Sequence, residues 1–485
     1  MAENLKRKAV SGIAWSAVQK YSTMSIQFLL GIILARLLTP FDYGCIGMLA
    51  IFMELAHTFV DGGFASALIQ KKETTQEDYS TIFWWDLLMA LLFYIILYVS
   101  APSISRFYKI PLLCNVLRVQ GLVLFVSAFN IIQQIQLKKA INFKLISIVT
   151  ISTSIVSLTI TILMAYHGFG IWSLVTQNLI IAIIPAIAFW FTLKWRPTMT
   201  FSWTSFKSLF DFGLFMFLTN LVNTFFSKLQ GLLIGKLYSP SILGYYSKAS
   251  STENLASHSI STVMTQVSYP LYAKVQDDKV AMANMIKRLS MTISFFSFPI
   301  MIVLLLIAKP LFVLLYSDRW LPSVPYFQIL CIVGLSSCLM GVNTQPIAAI
   351  GKSKTMFHWT LAKRTFGLVF IFGGLLLYGM KGFLIGVVLH NWFCYLVNIS
   401  LVSKYIGYKW YQQLLDLMPV AIATLVSALV SYFCAYLLNM ELYTDGLIKL
   451  LIFFTIYFAW CFIFKLEAFS YTLTIIPKRF RFWEK

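Results

Sequence analysis

Apolar residues run almost unbroken along this chain, in stretches separated by short polar intervals. A helix rises about 1.5 Å per residue, so runs of about 20 residues cross about 30 Å of hydrocarbon. Membrane-spanning strands would instead need segments of about ten residues alternating in and out, and these runs are continuous. The pattern therefore predicts an all-α, polytopic membrane protein with about 14 transmembrane helices. Six are expected near 10–35, 43–69, 80–104, 112–137, 145–167 and 171–193. Six more are expected near 207–235, 243–270, 286–310, 325–349, 357–379 and 382–403. A last pair is expected near 415–438 and 446–465. The longest polar intervals, near 71–79 and 271–286, leave no room for a separate soluble catalytic domain.

The pattern repeats. Ala35-Arg36-Leu37-Leu38-Thr39-Pro40-Phe41-Asp42-Tyr43-Gly44 follows the first apolar run, and Gly235-Lys236-Leu237-Tyr238-Ser239-Pro240-Ser241-Ile242-Leu243-Gly244 follows the seventh. Arg36 and Lys236, Pro40 and Pro240, and Gly44 and Gly244 each stand 200 residues apart, as do the acidic pairs Glu77-Asp78 and Asp277-Asp278. Two homologous halves follow, with six spans in each. An even number of spans separates the copies, so both halves cross the membrane in the same sense. They should be related by an axis along the membrane normal, as in parallel-repeat transporters. The expected division is an N-terminal six-helix bundle over 1–200, a C-terminal one over 201–410, and two added helices with a basic tail over 411–485.

Composition agrees with the pattern. Of 485 residues 59% are hydrophobic and 12% charged, about half the charge of an ordinary soluble domain. The formal charge of +20 does not suggest nucleic acid, because basic residues sit singly or in small groups between spans. With both termini cytoplasmic, roughly 26 of the 38 Lys and Arg residues fall on the inner side, the bias that the positive-inside rule describes. The basic tail Lys478, Arg479, Arg481 and Lys485 belongs to that set. Seven cysteines lie mostly within apolar runs without metal-ligand spacing, so they read as small apolar residues. No metal site or cofactor is expected, and no cleavable signal peptide is evident.

Ionisable groups inside spans are costly and point to function. Glu54, His57 and Asp61 share one face of the second span, and Lys20 of the first lies at a depth between His57 and Asp61. The seventh and eighth spans carry Lys228, Glu253 and His258. These seven residues are the candidate lining of a water-filled cavity, with Lys20 expected to face Asp61 or His57, and Lys228 to lie near Glu253. Asp86, Arg118 and His390 are isolated cases elsewhere. The competing reading is that such groups are buried, mutually satisfied polar contacts between helices, and a lone Asn, Gln or His reads that way first. Arg36 and Lys236 are expected at the outer end as interface anchors or gate residues. The acidic pairs read as solvated turns. No Walker, zinc-hydrolase, Gly-x-Ser-x-Gly or Asp-x-Asp motif is present, so an intrinsic ATPase or enzyme activity has no support.

The stretch Ala35–Gly44 resembles the polysaccharide-transporter family of flippases, within the multidrug/oligosaccharidyl-lipid/polysaccharide exporter superfamily. The likeness continues through Phe59-Val60-Asp61-Gly62-Gly63-Phe64, Ala67-Leu68-Ile69-Gln70-Lys71-Lys72, Asp78-Tyr79-Ser80-Thr81-Ile82-Phe83-Trp84, Ala101-Pro102-Ser103-Ile104-Ser105-Arg106-Phe107-Tyr108 and Gly168-Phe169-Gly170-Ile171-Trp172-Ser173-Leu174-Val175. It is similar to the colanic-acid-exporter type of lipopolysaccharide biosynthesis protein. The resemblance implies alternating access by two bundles in a bacterial inner membrane. It implies a polyprenyl-diphosphate-linked oligosaccharide as substrate, moved to the outer leaflet for O-antigen, capsule or exopolysaccharide assembly. A glycan polymerase and export machinery would be its partners. Two alternatives stand beside it: a cation-coupled multidrug antiporter of the same superfamily, and a membrane glycan polymerase or ligase. The antiporter would want a dedicated carboxylate in an apolar pocket, and the polymerase a long outer loop carrying Arg or His.

Overall fold

The computed structural model describes residues 2–438 and 440–475, and the side chains of 2–10, 13, 211–212, 258, 260–271, 273–274, 353–354, 357 and 472–475 fall outside the description. The candidate His258 and the basic tail therefore lie outside it. Among the described residues every regular element is helical. The chain forms two compact units, 1–247 and 248–485.

The first unit holds α1 (Ala2–Leu37), α2 (Pro40–Asp61), α3 (Phe64–Gln70), α4 (Gln76–Tyr108), α5 (Leu112–Lys139), α6 (Phe143–Tyr166), α7 (Ile171–Thr192), α8 (Trp203–Leu237) and the start of α9 (Pro240–Lys274). The second continues from α9 through α10 (Lys279–Leu306), α11 (Ala308–Tyr316), a 3₁₀ turn (Asp318–Ser323), α12 (Val324–Ala349) and α13 (Ser353–Ile406). It ends with α14 (Trp410–Leu438), α15 (Leu442–Ile463) and α16 (Glu467–Ile475). The helix α13 is broken at Tyr378 and Gly379, and so holds two of the predicted spans. Among the described residues, helical stretches occupy all fourteen predicted positions. Among the described residues ten helices are long and apolar enough to cross a membrane, and the bent α8 makes an eleventh if taken as one span; the more polar α1 and α9 are not among them.

The repeated Pro and acidic positions are helix starts rather than free turns. Thr39 caps α2 with Pro40 in the first turn, its hydroxyl accepting from the Asp42 N–H while the Asp42 carboxylate accepts from the Thr39 N–H. This reciprocal box satisfies two donors that a helix start leaves unpaired. Ser239 supplies one half of this cap in the second copy, accepting from the Ile242 N–H at 3.3 Å, since isoleucine at 242 has no side-chain acceptor to return. The acidic pairs, expected as solvated turns, also serve helix starts. Asp78 completes a second box with Thr75 at the start of α4, is 1% exposed and pairs with Lys71 at 2.8 Å. Asp278 caps α10, accepting from the N–H groups of Val280 and Ala281.

The two repeated helix starts meet each other. A Cβ placed on Gly44 would lie 1.8 Å from the Pro240 carbonyl oxygen, and one on Gly244 would lie 1.9 Å from the Pro40 carbonyl oxygen. Only glycine allows so close a backbone approach. Around it α8 packs along α2, α3 and α4, while α1 packs on α6 and α5 on α7. In the second unit α10 packs against α12 and α14, and the Tyr457 hydroxyl of α15 donates to the Phe295 carbonyl of α10. Large apolar side chains such as Phe191, Leu376 and Phe462 remain on the outside, as contact with lipid requires.

Three short elements were not anticipated. The span expected over 43–69 is two helices, because Gly62 (φ 53°) and Gly63 (φ 75°) take the left-handed conformation and end α2. The helix α11 with its 3₁₀ turn, and α16 after the last span, are too short for a 20-residue window to register.

Candidate functional site

The first unit encloses two adjoining cavities. One, of about 560 Å³, lies between α2, α5 and α7 and is lined by Glu54, His57 and Asp61 on one side and by Gln120, Asn130, Gln134 and Lys138 of α5 on the other. The second, of about 430 Å³, lies between α1, α5, α6 and α7; Gln19, Thr23 and Gln27 face Thr150 and Ser154 there. Gln134, Lys138 and Ile181 line both. The α5 polar side chains that line the cavities fall at 120, 127, 130, 134 and 138, one face of a helix, so this face is the shared wall.

Its hydroxyls are bonded along their own helices, Thr150 to the Ile146 carbonyl at 2.8 Å and Ser154 to the Thr150 carbonyl at 2.9 Å, and its amides make a few bonds across the wall. Gln134 donates to the Asn130 side-chain oxygen at 2.8 Å, and Gln19 donates to the Thr150 hydroxyl at 3.4 Å. The remaining amide and hydroxyl groups give the cavity both donors and acceptors, with two carboxylates and the Lys138 ammonium at the edges. Such a lining solvates a neutral polyhydroxylated molecule and offers one fixed positive charge to an anionic group.

Glu54, His57 and Asp61 share the first cavity, as their spacing predicts. Lys228 makes an ion pair with Glu54 at 3.3 Å, within the first unit, rather than the expected one with Glu253. A hydroxyl contact between Thr58 and Thr224, 3.3 Å, lies beside it. Lys20 is half-buried on α1 and has no ion pair among the described residues; Asp61 shares its cavity with His57 and Lys138 instead. Arg36 is exposed. Lys236 is exposed too, donates to the Phe107 carbonyl at 2.6 Å and lies 3.8 Å over the Phe107 ring. This ties it to the C-terminal end of α4, where the helix dipole favours a cation.

Glu253 belongs to the second unit and is 5% exposed. Its Oε1 lacks a hydrogen-bond partner, and a Cβ on Gly334 would come within 2.7 Å of it. On the same helix Lys248, also 5% exposed, lies 4.1 Å over the Tyr316 ring, a contact that partly replaces lost hydration. The sequence reading weighted charged residues inside the predicted spans and so missed Asn130, Gln134 and Asn178, while Lys138 stands just past the span expected over 112–137. The signal was present in the spacing of polar residues along α5.

Comparison with known proteins agrees with this architecture. The chain is 26% identical to the teichuronic acid biosynthesis protein TuaB of Bacillus subtilis (strain 168) over 382 residues, 78% of this chain and 77% of that protein. It is 22% identical to the lipopolysaccharide biosynthesis protein WzxC of Escherichia coli (strain K12), covering 90% of each. Among solved structures, the fold matches lipid II flippase MurJ in an inward closed conformation, with a TM-score of 0.72, 17% identity and 93% of this chain and 98% of that one covered. It also matches an inward-facing multidrug resistance MATE family transporter, with a TM-score of 0.60, 16% identity and 82% and 98% covered. The family model described as polysaccharide biosynthesis protein matches residues 33–325, and the chain belongs to that family.

Proposed function

We propose that this protein is a flippase, moving a polyprenyl-diphosphate-linked oligosaccharide from the inner to the outer leaflet of a bacterial inner membrane by alternating access. The observation that carries the reading is a pair of cavities walled by amides and hydroxyls inside apolar helices. Hydrocarbon would not tolerate that polarity without a polar occupant, and sugar hydroxyls match it group for group. A multidrug antiporter for apolar cations would have little use for such a wall. Both termini are cytoplasmic in this reading, the substrate lipid is the partner, and no bound nucleotide drives the cycle. The duplication divides the chain into bundles over 1–200 and 201–410, with 411–485 appended.

A diphosphate entering low dielectric needs positive charge, which a lysine supplies as a compact point charge. Lys138 stands at the cavity wall, and Lys20 on α1 has no ion pair among the described residues. Lys228, held by Glu54, becomes available if that pair opens. The test is complementation of a strain lacking this gene, reading the lipid-linked intermediate that accumulates and the glycan that reaches the surface. Gln134→Leu combined with Asn130→Leu should abolish surface glycan at matched protein levels, and Lys138→Ala and Lys20→Ala should each lower it, with Arg at either site retaining part. Normal export by the double leucine variant would remove the cavity from the transport path.

A further inference from the structure

The turn between α14 and α15 carries a small polar notch of about 160 Å³, lined by Tyr432, Ala435, Tyr436, Met440, Asp445 and Lys449. The Lys449 ammonium pairs with the Asp445 carboxylate at 2.6 Å, and the two side chains are only 15% and 22% exposed. Both stand on α15, one turn apart, so the pair fastens no helix to another. The tie between the helices at this level is neutral: the Ser431 hydroxyl donates to the Lys449 carbonyl at 2.6 Å. From another side a Cβ on Gly446 would lie 2.7 Å from the Pro310 ring of α11, so the head of α15 is closely packed. The charges are thus fixed in position and have bonding capacity to spare. An ammonium has three donors and a carboxylate several acceptor sites, and among the described residues the two side chains make one hydrogen bond, to each other. The ammonium also lies 5.5 Å from the centre of the Tyr432 ring.

The depth of the notch says what can reach it. The 22 residues of α15 span about 33 Å, barely more than the hydrocarbon is thick. Lys449 stands seven residues, about 10 Å, below the start of the helix. A helical side chain leans toward the N-terminus, which brings the ammonium up beside Asp445, at the border of headgroups and hydrocarbon. Around the notch Phe433, Leu437, Leu447 and Leu451 are exposed, a surface suited to acyl chains. We propose that the notch binds the headgroup of a zwitterionic aminophospholipid, its phosphate on Lys449 and its ammonium on Asp445. The site has no net charge, so a purely anionic headgroup would be repelled by Asp445, whereas one carrying both charges satisfies both partners. Choline has no N–H to donate, which favours an ethanolamine-type headgroup, and the tyrosine rings give its ammonium a second hold. The volume admits one such group and excludes an oligosaccharide. The outer leaflet is its source in the proposed orientation, but the headgroup preference rests neither on that orientation nor on the flippase reading.

Native mass spectrometry of the delipidated full chain reads the preference, with dioleoyl phosphatidylethanolamine, phosphatidylcholine and phosphatidylglycerol added in turn. The first phosphatidylethanolamine should bind about tenfold tighter than either other lipid, the worth of one hydrogen bond to a charged group. Asp445→Asn should abolish that preference and raise phosphatidylglycerol relative to phosphatidylethanolamine, and Lys449→Gln should weaken phosphatidylethanolamine about tenfold. A ratio of affinities within one variant does not depend on how much of that variant folds. Tyr436→Ala, at an exposed position, should weaken phosphatidylethanolamine binding and leave thermal unfolding in lipid-free detergent unchanged. Equal binding of the three lipids by the unaltered chain would overturn the proposal. An unchanged preference in Asp445→Asn would do the same, leaving the pair as a contact within α15 alone. Displacement of the bound lipid by millimolar glucose would make the notch a sugar site and equally overturn it.

Discussion

At the scale of single residues, the backbone contacts of Gly44 and Gly244 carry the sharpest expectation. A methyl on Gly44 would meet Pro240 main chain, which cannot rotate away, whereas one on Gly47 would meet only side chains, Leu243 at 3.3 Å and the Ser247 hydroxyl at 3.4 Å. Gly44→Ala should therefore cost at least the 1–3 kcal/mol of ordinary overpacking, about that range being typical of cores, and Gly47→Ala clearly less. Thermal unfolding in detergent separates them, and equal losses would refute the argument. The Lys228–Glu54 pair is different: the side chains are 36% and 51% exposed, so a double-mutant cycle should return a coupling of only about 0–1 kcal/mol. The sequence shows Gly44 as one member of a repeated motif. It does not show that its neighbour is the other copy, because spacing along a chain carries no information about which distant backbone arrives there. The Lys228 pairing escaped for the same reason, since depth alone cannot choose between Glu54 and Glu253.

At the scale of elements, the helix starts and the added C-terminal helices make testable statements. Glu467 at the head of α16 is held below the ordinary glutamate value by the hydrogen bond from Tyr471, and further by Lys287. Lys287 of α10 lies 3.2 Å from Glu467 and 3.3 Å from Asp416 of α14, so one ammonium joins three helices. Because the folded carboxyl is the stronger acid, its contribution is complete above the ordinary value and disappears as pH falls through the lowered one. Hydrogen exchange over 467–471, corrected for its intrinsic pH dependence, should rise below about pH 4, and Glu467→Gln should show the raised exchange already at neutral pH. An exchange rate flat across the acid range would contradict the tie. The long spans were legible because about 20 apolar residues leave one reading. The breaks were not read, although Gly62-Gly63 is written plainly, because hydropathy averaging runs across two glycines. Thr39-Pro40-Phe41-Asp42 could have been read as a capping box from its spacing alone.

At the scale of the whole molecule, the fold class followed from hydropathy, while the site needed the helices assembled. Charges drew the eye to Glu54, His57 and Asp61, and the structure places these in the larger cavity. The opposite wall is neutral apart from Lys138, and Asn or Gln in a span is as often a tie between helices as a lining. Only the packing of α5 against α7 and α2 shows which way its polar face turns. The same reasoning says what a wall of this kind should respond to. Removing amides should affect glycan passage, whereas exchanging lipid-facing residues such as Phe191 or Leu376 for other apolar ones should leave export unchanged. The contact between the repeated helix starts has a further consequence. Residue 44 meets 240 while residue 244 meets 40, the reciprocity of an isologous interface between two identical subunits. A half-length ancestor carrying the motif once could have made this contact with a second copy of itself, one glycine serving both sides. Fusing the copies ended that economy: each glycine now has its own codon, and losing either one spoils a contact that the other cannot mend.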